Sequence, residues 1–155
     1  MTDKQRNYRN ISWEEVTSAV KRLAQKIKNM PNFDDVDGVI GIERGGVIPA
    51  VMLSHVLNIP FTSWDSILLE LEYAIAPPPE GRFLIVDDIA DSGGTFNDYS
   101  DDKNVICSLF LRKHTCLKEI KDRLIYAKEI NNDDWLVFPW ELDDKIIDFA
   151  SEDWV

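Results

Sequence analysis

One stretch decides the fold of this chain, Leu84-Ile-Val-Asp-Asp-Ile-Ala-Asp-Ser-Gly-Gly-Thr95. A short apolar run over residues 83–86 predicts a strand that is buried on both faces of a parallel sheet. Three carboxylates, two glycines and two hydroxyls follow within residues 87–95. Because ligands of open α/β sheets bind at the carboxyl ends of the strands, these polar residues predict a ligand site.

The residue types in this stretch indicate the chemistry of the ligand. The adjacent glycines Gly93 and Gly94 let successive backbone N–H groups turn inward around an anion. The carboxylates Asp87 and Asp88 would repel a bare phosphate, but they suit sugar hydroxyls or a hydrated magnesium ion beside it. The stretch therefore predicts a ribose phosphate. The alternative is a strand-to-helix turn with solvated acids, although this fixed order after an apolar strand is more specific than a lone glycine pattern.

A second loop carries complementary chemistry. It lies in Gly41-Ile-Glu-Arg-Gly-Gly-Val-Ile-Pro-Ala50, between a predicted strand and a predicted helix. One arginine, Arg44, and two glycines, Gly45 and Gly46, suit a pyrophosphate because they supply backbone donors and one forked cation. Taken alone, the loop also fits an ordinary β–α turn.

The rest of the chain predicts an α/β domain. Ser12 and Glu15 form a capping box at the start of a helix over residues 12–29. A second helix is predicted over residues 48–57, and further strands over 38–42, 59–63, 105–111 and 124–130. Strands that alternate with helices predict a mainly parallel sheet flanked by helices. A length of 155 residues suits a single domain over residues 1–155.

Charge and composition restrict the partners and the compartment. The net charge is -11, which disfavours a nucleic acid partner because the phosphate backbone would be repelled. No apolar run approaches the ~20 residues that span a bilayer, and the N-terminus leads into no apolar signal segment. We therefore expect a cytoplasmic protein without integral membrane contact. Cys107 and Cys116 lack metal-ligand spacing and are interpreted as reduced thiols.

The two loops together resemble a known family. The stretch from Val86 to Thr95 resembles the phosphoribosyl pyrophosphate (PRPP) signature of the type I phosphoribosyltransferases, and the loop at Arg44 resembles their pyrophosphate loop. The resemblance implies that Asp87 and Asp88 hold the ribose hydroxyls with Mg²⁺ nearby. The residues implied to bind the ribose 5-phosphate are Asp87, Asp88, Ile89, Ala90, Asp91, Ser92, Gly93, Gly94 and Thr95. The residues implied to bind pyrophosphate are Glu43, Arg44, Gly45 and Gly46, with a cis peptide expected between the first two.

Two further segments narrow the resemblance. Asp133-Asp-Trp-Leu-Val-Phe-Pro-Trp-Glu141 and Ile11-Ser-Trp-Glu14 are similar to segments of the small bacterial xanthine-guanine phosphoribosyltransferases. This similarity implies transfer of the phosphoribosyl group from PRPP to a 6-oxopurine base, with release of pyrophosphate. Trp135 would stack on the purine, and the main chain of Leu136 would contact its exocyclic edge. A core or dimer-interface aromatic is the alternative for Trp135.

Other contacts to the reacting groups follow from the same resemblance. The family carries a lysine at a strand end where this chain has both Arg112 and Lys113, so either cation would meet the base oxygen O6. Solvated strand-end charges are the alternative for this pair. Asp91 lies where relatives place a carboxylate near N7, as a general acid/base or for electrostatic steering. Arg44 would stabilise the departing pyrophosphate.

One region departs from the family. No Lys or Arg occurs from Gly45 to Gly81, where relatives carry a mobile loop with cations or a Ser-Tyr pair. Ser63-Trp64 is a candidate for that pair, and Arg82 or a neighbouring subunit is a candidate source of the charge. The gap motivates a second hypothesis, a non-catalytic regulatory module of the same fold that binds PRPP or a nucleotide. Because relatives form dimers or tetramers, we expect a homodimer or homotetramer.

Overall fold

The structure is a computed structural model that describes residues 7–63, 80–97, 99 and 101–141. Its strands are β1 (Tyr8–Asn10), β2 (Gly38–Gly41), β3 (Phe61–Ser63), β4 (Phe83–Ala90), β5 (Val105–Arg112), β6 (Ile125–Ile130) and β7 (Trp135–Val137). Five of them form a sheet in the order β3-β2-β4-β5-β6. Every neighbouring pair in this sheet is parallel, so the carboxyl ends of all five strands meet at one edge.

Two helices of more than two turns cover one face of the sheet. They are α1 (Trp13–Lys28) and α2 (Val47–Leu57). Three shorter elements are a 3₁₀ turn (Phe33–Asp35) and the single-turn helices α3 (Gly94–Asn97) and α4 (Lys118–Lys121). The predicted capping box of α1 is present in both directions, with Ser12 Oγ and the Glu15 carboxylate as acceptors. The apolar face of α1 is buried through Val16, Ala19, Val20, Leu23, Ala24 and Ile27.

Alternation along β4 divides the core into two parts. Leu84 and Val86 point into the cluster that includes α1 and α2, whereas Ile85 points into the cluster on the opposite face with Phe96 and Ile120. Both faces of β4 are therefore buried, as the continuous apolar run predicts. The predicted α/β class with a parallel sheet is confirmed.

A small second sheet joins the two ends of the described chain. β1 pairs with β7 in parallel, with Tyr8 opposite Trp135 and Arg9 opposite Leu136. We call this two-stranded sheet the small hood sheet. The sequence patterns did not predict either strand, because three residues are too few for a period-2 signal. None of the helices in the described ranges is long and apolar enough to cross a membrane.

One strand boundary differs from the prediction in a way that bears on function. The expected strand ended at Val86, but β4 continues to Ala90, because β5 pairs with it as far as Ala90 opposite Leu111. Asp87 and Asp88 therefore lie within the strand and not in the loop after it. A strand holds their backbone more rigidly than a loop would.

Candidate functional site

Three loops meet at the carboxyl edge of the central sheet. They follow β2, β4 and β5, which lie side by side in the order β2-β4-β5. The first loop contains residues 42–46, the second 91–93 and the third 113–117. The two loops that the sequence singled out are thus neighbours, as expected of parallel strands with a shared edge.

The loop after β2 docks directly on β4. The Ile42 backbone N–H donates to the Val86 carbonyl oxygen at 2.9 Å. A Cβ at position 45 would overlap the Asp88 carboxylate, and a Cβ at position 46 would overlap the Val86 carbonyl. Position 46 therefore requires glycine because β4 backbone lies against it, whereas a side chain at position 45 would displace the Asp88 carboxylate. The peptide between Glu43 and Arg44 is cis, as predicted.

Asp87 and Asp88 form a half-enclosed pair of carboxylates. The Asp88 N–H donates to Asp87 Oδ1 at 2.9 Å, and the Ile89 N–H donates to Asp88 Oδ1 at 2.7 Å. Burial, and next the charge of Asp88, raise the pKa of Asp87 from 3.8 to about 8. Burial also raises the pKa of Asp88. Two adjacent carboxyl groups do not readily ionise together, because their negative charges repel each other. A nearby cation stabilises the ionised form of both.

The donor set at this pair is compatible with magnesium. Mg²⁺ is usually held by one or two carboxylates together with waters and substrate phosphates. The described residues contain no group of three or more His, Cys, Asp or Glu side chains placed to hold a metal. Asp87 and Asp88 could therefore hold Mg²⁺ with help from a phosphate ligand, and not as a complete protein cage.

A cavity of about 490 Å³ opens beside Asp88. Arg44 and Gly45 line it from the first loop, and Trp140 and Glu141 line it from the segment after β7. Trp140 is held by stacking on Phe138, with ring centroids 4.8 Å apart, and Glu141 accepts from the Phe138 N–H at 2.7 Å. Trp140 and Glu141 carry no predicted role, although both lie in the segment on which the base site was predicted.

The loop after β4 is pinned by the turn that follows β5. The Leu117 N–H donates to the Ser92 carbonyl at 2.9 Å, and Ser92 Oγ accepts from the Gly94 N–H at 3.1 Å. Gly93 has a φ of 81°, and a side chain there would press on Ile120 and Cys116. Ser92 and Thr95 are both exposed at this edge. The loop can therefore offer backbone N–H groups and hydroxyls to an anion from a fixed frame.

The structure separates the two candidate cations at the end of β5. Arg112 is 5% exposed, and its Nε lies 3.2 Å from Asp91 Oδ1. Its two terminal nitrogens donate to the carbonyl oxygens of Asn132 and Asp134, the second at 2.8 Å. Arg112 thus joins the loop after β4 to the segment that leads into Trp135.

Lys113 points away from this group of residues. It is exposed and pairs with Glu129 on β6 at 3.3 Å. Arg112 is the last residue of β5, whereas Lys113 is the first residue of the turn that follows it. The structure does not bring Lys113 together with Asp91 or Trp135.

The predicted stacking residue lies in the small hood sheet. Trp135 is 46% exposed in β7, next to the buried Leu136. A half-exposed indole held in a strand offers a flat, fixed surface to a ligand. The Asp134 carbonyl that Arg112 binds immediately precedes Trp135.

Arg82 does not supply the missing charge. It precedes β4, at the opposite end of the strand from Asp87, about 16 Å away at 3.3 Å per residue. Its guanidinium donates to the Asn32 carbonyl at 3.0 Å, and its backbone N–H donates to Asp37. The expectation that Arg82 serves the site is wrong, because the strand places it at the other edge of the sheet. Trp64, the second residue of the Ser-Trp candidate pair, lies outside the described residues.

A second cavity, of about 290 Å³, lies between α1 and the edge strand β6. Glu14, Arg22 and Lys128 line it. Its lining includes the capping-box residues Ser12 and Glu15, but none of the residues predicted to bind PRPP or the base and none of the β2, β4 and β5 loops. The carboxyl edge of the sheet is therefore the site that agrees with the sequence patterns.

The fold and the arrangement of the three loops are similar to those of the type I phosphoribosyltransferases. The chain is similar to the xanthine-guanine phosphoribosyltransferase of Idiomarina loihiensis, with 28% identity over 155 residues, covering 85% of this chain and 86% of the relative. The enzyme of the same name from Gluconobacter oxydans is also 28% identical, covering 87% of this chain and 85% of the relative. No family model matches the chain.

Solved structures agree with this class. The purine phosphoribosyltransferase from Pyrococcus horikoshii superposes with a TM-score of 0.64 at 26% identity, covering 88% of this chain and 95% of that one. The xanthine-guanine-hypoxanthine phosphoribosyltransferase of Helicobacter pylori shares the fold at 18% identity, with a TM-score of 0.61 and coverage of 90% and 97%. The resemblance and the phosphoribosyltransferase class of enzyme that the sequence predicts are confirmed.

Proposed function

We propose that the protein transfers the 5-phosphoribosyl group of PRPP to a 6-oxopurine base: guanine, xanthine or hypoxanthine. The C1–oxygen bond to pyrophosphate breaks, a bond from C1 to a purine nitrogen forms, and that nitrogen gives up its proton. The products are a nucleoside 5′-monophosphate and pyrophosphate. The observation that carries the proposal is the contact between the loop after β2 and strand β4, where Gly45 packs on Asp88 beside a cavity of about 490 Å³.

In the PRPP half of the site, different residues bind the ribose, the 5-phosphate and the pyrophosphate. Asp87 and Asp88 accept hydrogen bonds from the ribose hydroxyls and would hold Mg²⁺, which neutralises charge on the pyrophosphate when bound. Residues 91–95 surround the 5-phosphate with backbone N–H groups and hydroxyls. Arg44 with residues 43–46 binds the departing pyrophosphate, whose negative charge grows as the C1–oxygen bond breaks.

The residues of the base half lie on the other side of the same edge. Trp135 stacks on the purine, and the Leu136 main chain contacts its exocyclic edge. Arg112, not Lys113, serves the base oxygen O6, because Arg112 is the cation that lies beside Asp91 and the Trp135 segment. Asp91 steers the purine nitrogen N7 or exchanges a proton with it.

An assay of pyrophosphate release tests this function. The protein is incubated with Mg²⁺, PRPP and, separately, guanine, xanthine, hypoxanthine, adenine or uracil. Turnover with one or more of the 6-oxopurines is expected, and omission of Mg²⁺ is expected to abolish it. Turnover with uracil alone would eliminate the purine assignment.

A regulatory module that binds PRPP or a nucleotide is the second candidate. The absence of Lys and Arg from Gly45 to Gly81 favours it, because relatives place catalytic cations there. If calorimetry shows that PRPP binds and no base is turned over, the protein is a regulatory module and not an enzyme.

The environment and assembly of the protein complete the proposal. We place it in the cytoplasm as a single domain, since Cys107 and Cys116 are both unpaired thiols.

A homodimer or homotetramer would cover α2, whose outer face carries no Asp, Glu, Lys or Arg and exposes Val56. An apolar surface of this kind is typical of subunit contacts. Light scattering would show a monomer if this assembly is wrong.

A further inference from the structure

Thr115 contacts the acid of the proposed base site from the turn after β5. Its Oγ1 lies 2.7 Å from Asp91 Oδ1 and 3.0 Å from the Asp91 carbonyl oxygen. A hydroxyl carries one proton, and a hydrogen bond to a carboxylate is shorter and stronger than one to a neutral carbonyl. Thr115 therefore donates to Asp91 Oδ1.

The turn that carries Thr115 is fixed to the end of β5. The backbone N–H groups of Thr115 and Cys116 both donate to the Arg112 carbonyl, at 3.3 Å and 3.1 Å. The next residue, Leu117, donates to the Ser92 carbonyl. The hydroxyl of Thr115 is thus presented to Asp91 by backbone that is tied at both ends.

Arg112 contacts the same oxygen of Asp91. Its Nε lies 3.2 Å from Oδ1, so Thr115 and Arg112 hold Oδ1 between them. Within the described part of the chain, no residue donates a hydrogen bond to Asp91 Oδ2. The Asp91 side chain is about half exposed, so Oδ2 is accessible to a ligand while Oδ1 is held.

We propose that Thr115 is a positioning residue for the reaction, because it orients the Asp91 carboxylate so that Oδ2 meets the purine in one geometry. The inference rests on the proposed function. Asp91 has rotatable χ1 and χ2 torsions, and a half-exposed carboxylate without these contacts would sample several rotamers. A catalytic group that is held in its productive rotamer contributes more to the rate than one that reaches it part of the time.

Kinetics of Thr115 variants test the assignment. Thr115→Val keeps the branched shape and removes the donor, so kcat with the preferred base is expected to fall about tenfold, as for the loss of one hydrogen bond to a charged group. The KM for PRPP should be unchanged, because the PRPP half of the site keeps its contacts. Thr115→Ser keeps the hydroxyl and should restore most of kcat, whereas Thr115→Ala should match the valine variant.

A matched control comes from α1. Thr17 is an exposed threonine whose Oγ1 donates to the Trp13 carbonyl at 2.8 Å, and it belongs to none of the three loops of the site. Thr17→Val makes the same chemical change and should leave kcat and both KM values unchanged. A tenfold loss in the Thr17 variant as well would show a general effect of the substitution and would overturn the inference.

A double variant shows whether Thr115 acts through Asp91. In an Asp91→Ala background, which leaves no side-chain oxygen for Thr115 to hold, Thr115→Val should reduce kcat less than twofold further, because residues that act through each other are not additive. A full tenfold loss in that background, or unchanged kcat in Thr115→Val alone, would refute the positioning role while the wild-type turnover upholds the proposed function. Absence of wild-type turnover with every base would remove the proposed function and this inference with it.

Discussion

Replacing Asp87 with Asn should change how the stability of the ligand-free protein depends on pH. Burial and the adjacent Asp88 raise the pKa of Asp87 from 3.8 to about 8. The folded protein therefore keeps a proton on Asp87 at pH values where the unfolded chain has released it. The stability that this proton contributes is complete below about pH 4, decreases as the pH rises, and is lost above about pH 8.

The size of the effect follows from the shift. One pKa unit corresponds to about 1.36 kcal/mol, so the three units between about pH 5 and about pH 8 correspond to about 4 kcal/mol. Asn cannot ionise, yet its side-chain oxygen can still accept from the Asp88 N–H, as Asp87 Oδ1 does at 2.9 Å. The variant should therefore lose about 4 kcal/mol less free energy of unfolding over this range than the wild type.

Urea unfolding followed by tryptophan fluorescence, in EDTA at about pH 5 and about pH 8.5, measures this difference. Asp34→Asn is the matched control, because Asp34 is an exposed acid of the 3₁₀ turn and its replacement changes the net charge equally. Its loss of stability over the pH range should equal that of the wild type. An equal loss in Asp87→Asn and in the wild type would refute the interpretation of Asp87 as a strained, buried acid.

Three further variants probe the loops of the site. Gly45→Ala should weaken calorimetric binding of Mg²⁺–PRPP by more than about tenfold, because its methyl group displaces the Asp88 carboxylate; unchanged affinity would contradict the close contact. Trp135→Ala should raise the KM for the base by about 5- to 150-fold, from ~1–3 kcal/mol of stacking, and leave the KM for PRPP unaltered. Arg112→Lys should lower the melting temperature and kcat together, since a lysine cannot donate to Asp91 and to two carbonyls at once; Lys113→Arg is its control and should change neither.

Much of the site was predictable because its key residues are local in the chain. The apolar run of β4, the acids after it and the glycines at positions 93 and 94 are neighbours in sequence, so their order alone indicates a phosphate-binding strand end. The same holds for Arg44 and its two glycines. The close approach of Gly45 to Asp88 could not be predicted, because Asp88 comes from a strand that is distant in the chain.

Sequence patterns cannot distinguish Arg112 from Lys113 as the cation of the base site. Both are cations at the end of one strand, and a sequence alignment to a single family lysine fits either. The structure separates them by side-chain direction, with Arg112 toward Asp91 and Lys113 toward Glu129. Arg82 failed as a candidate for a related reason, since its distance from the site is set by the length of β4.

The sequence by itself determined the class of fold, the two glycine-containing segments and their order, because strand periodicity, capping and glycine turns are properties of short segments. Only the tertiary structure decided which side chains contact the same oxygen atom of Asp91. Thr115 and Arg112 reach Asp91 across 24 and 21 residues of chain because β4 and β5 are adjacent and parallel. Contacts of this kind depend on strand order and register, which no local pattern encodes. The geometry of the Asp91 carboxylate is therefore a property of the assembled sheet.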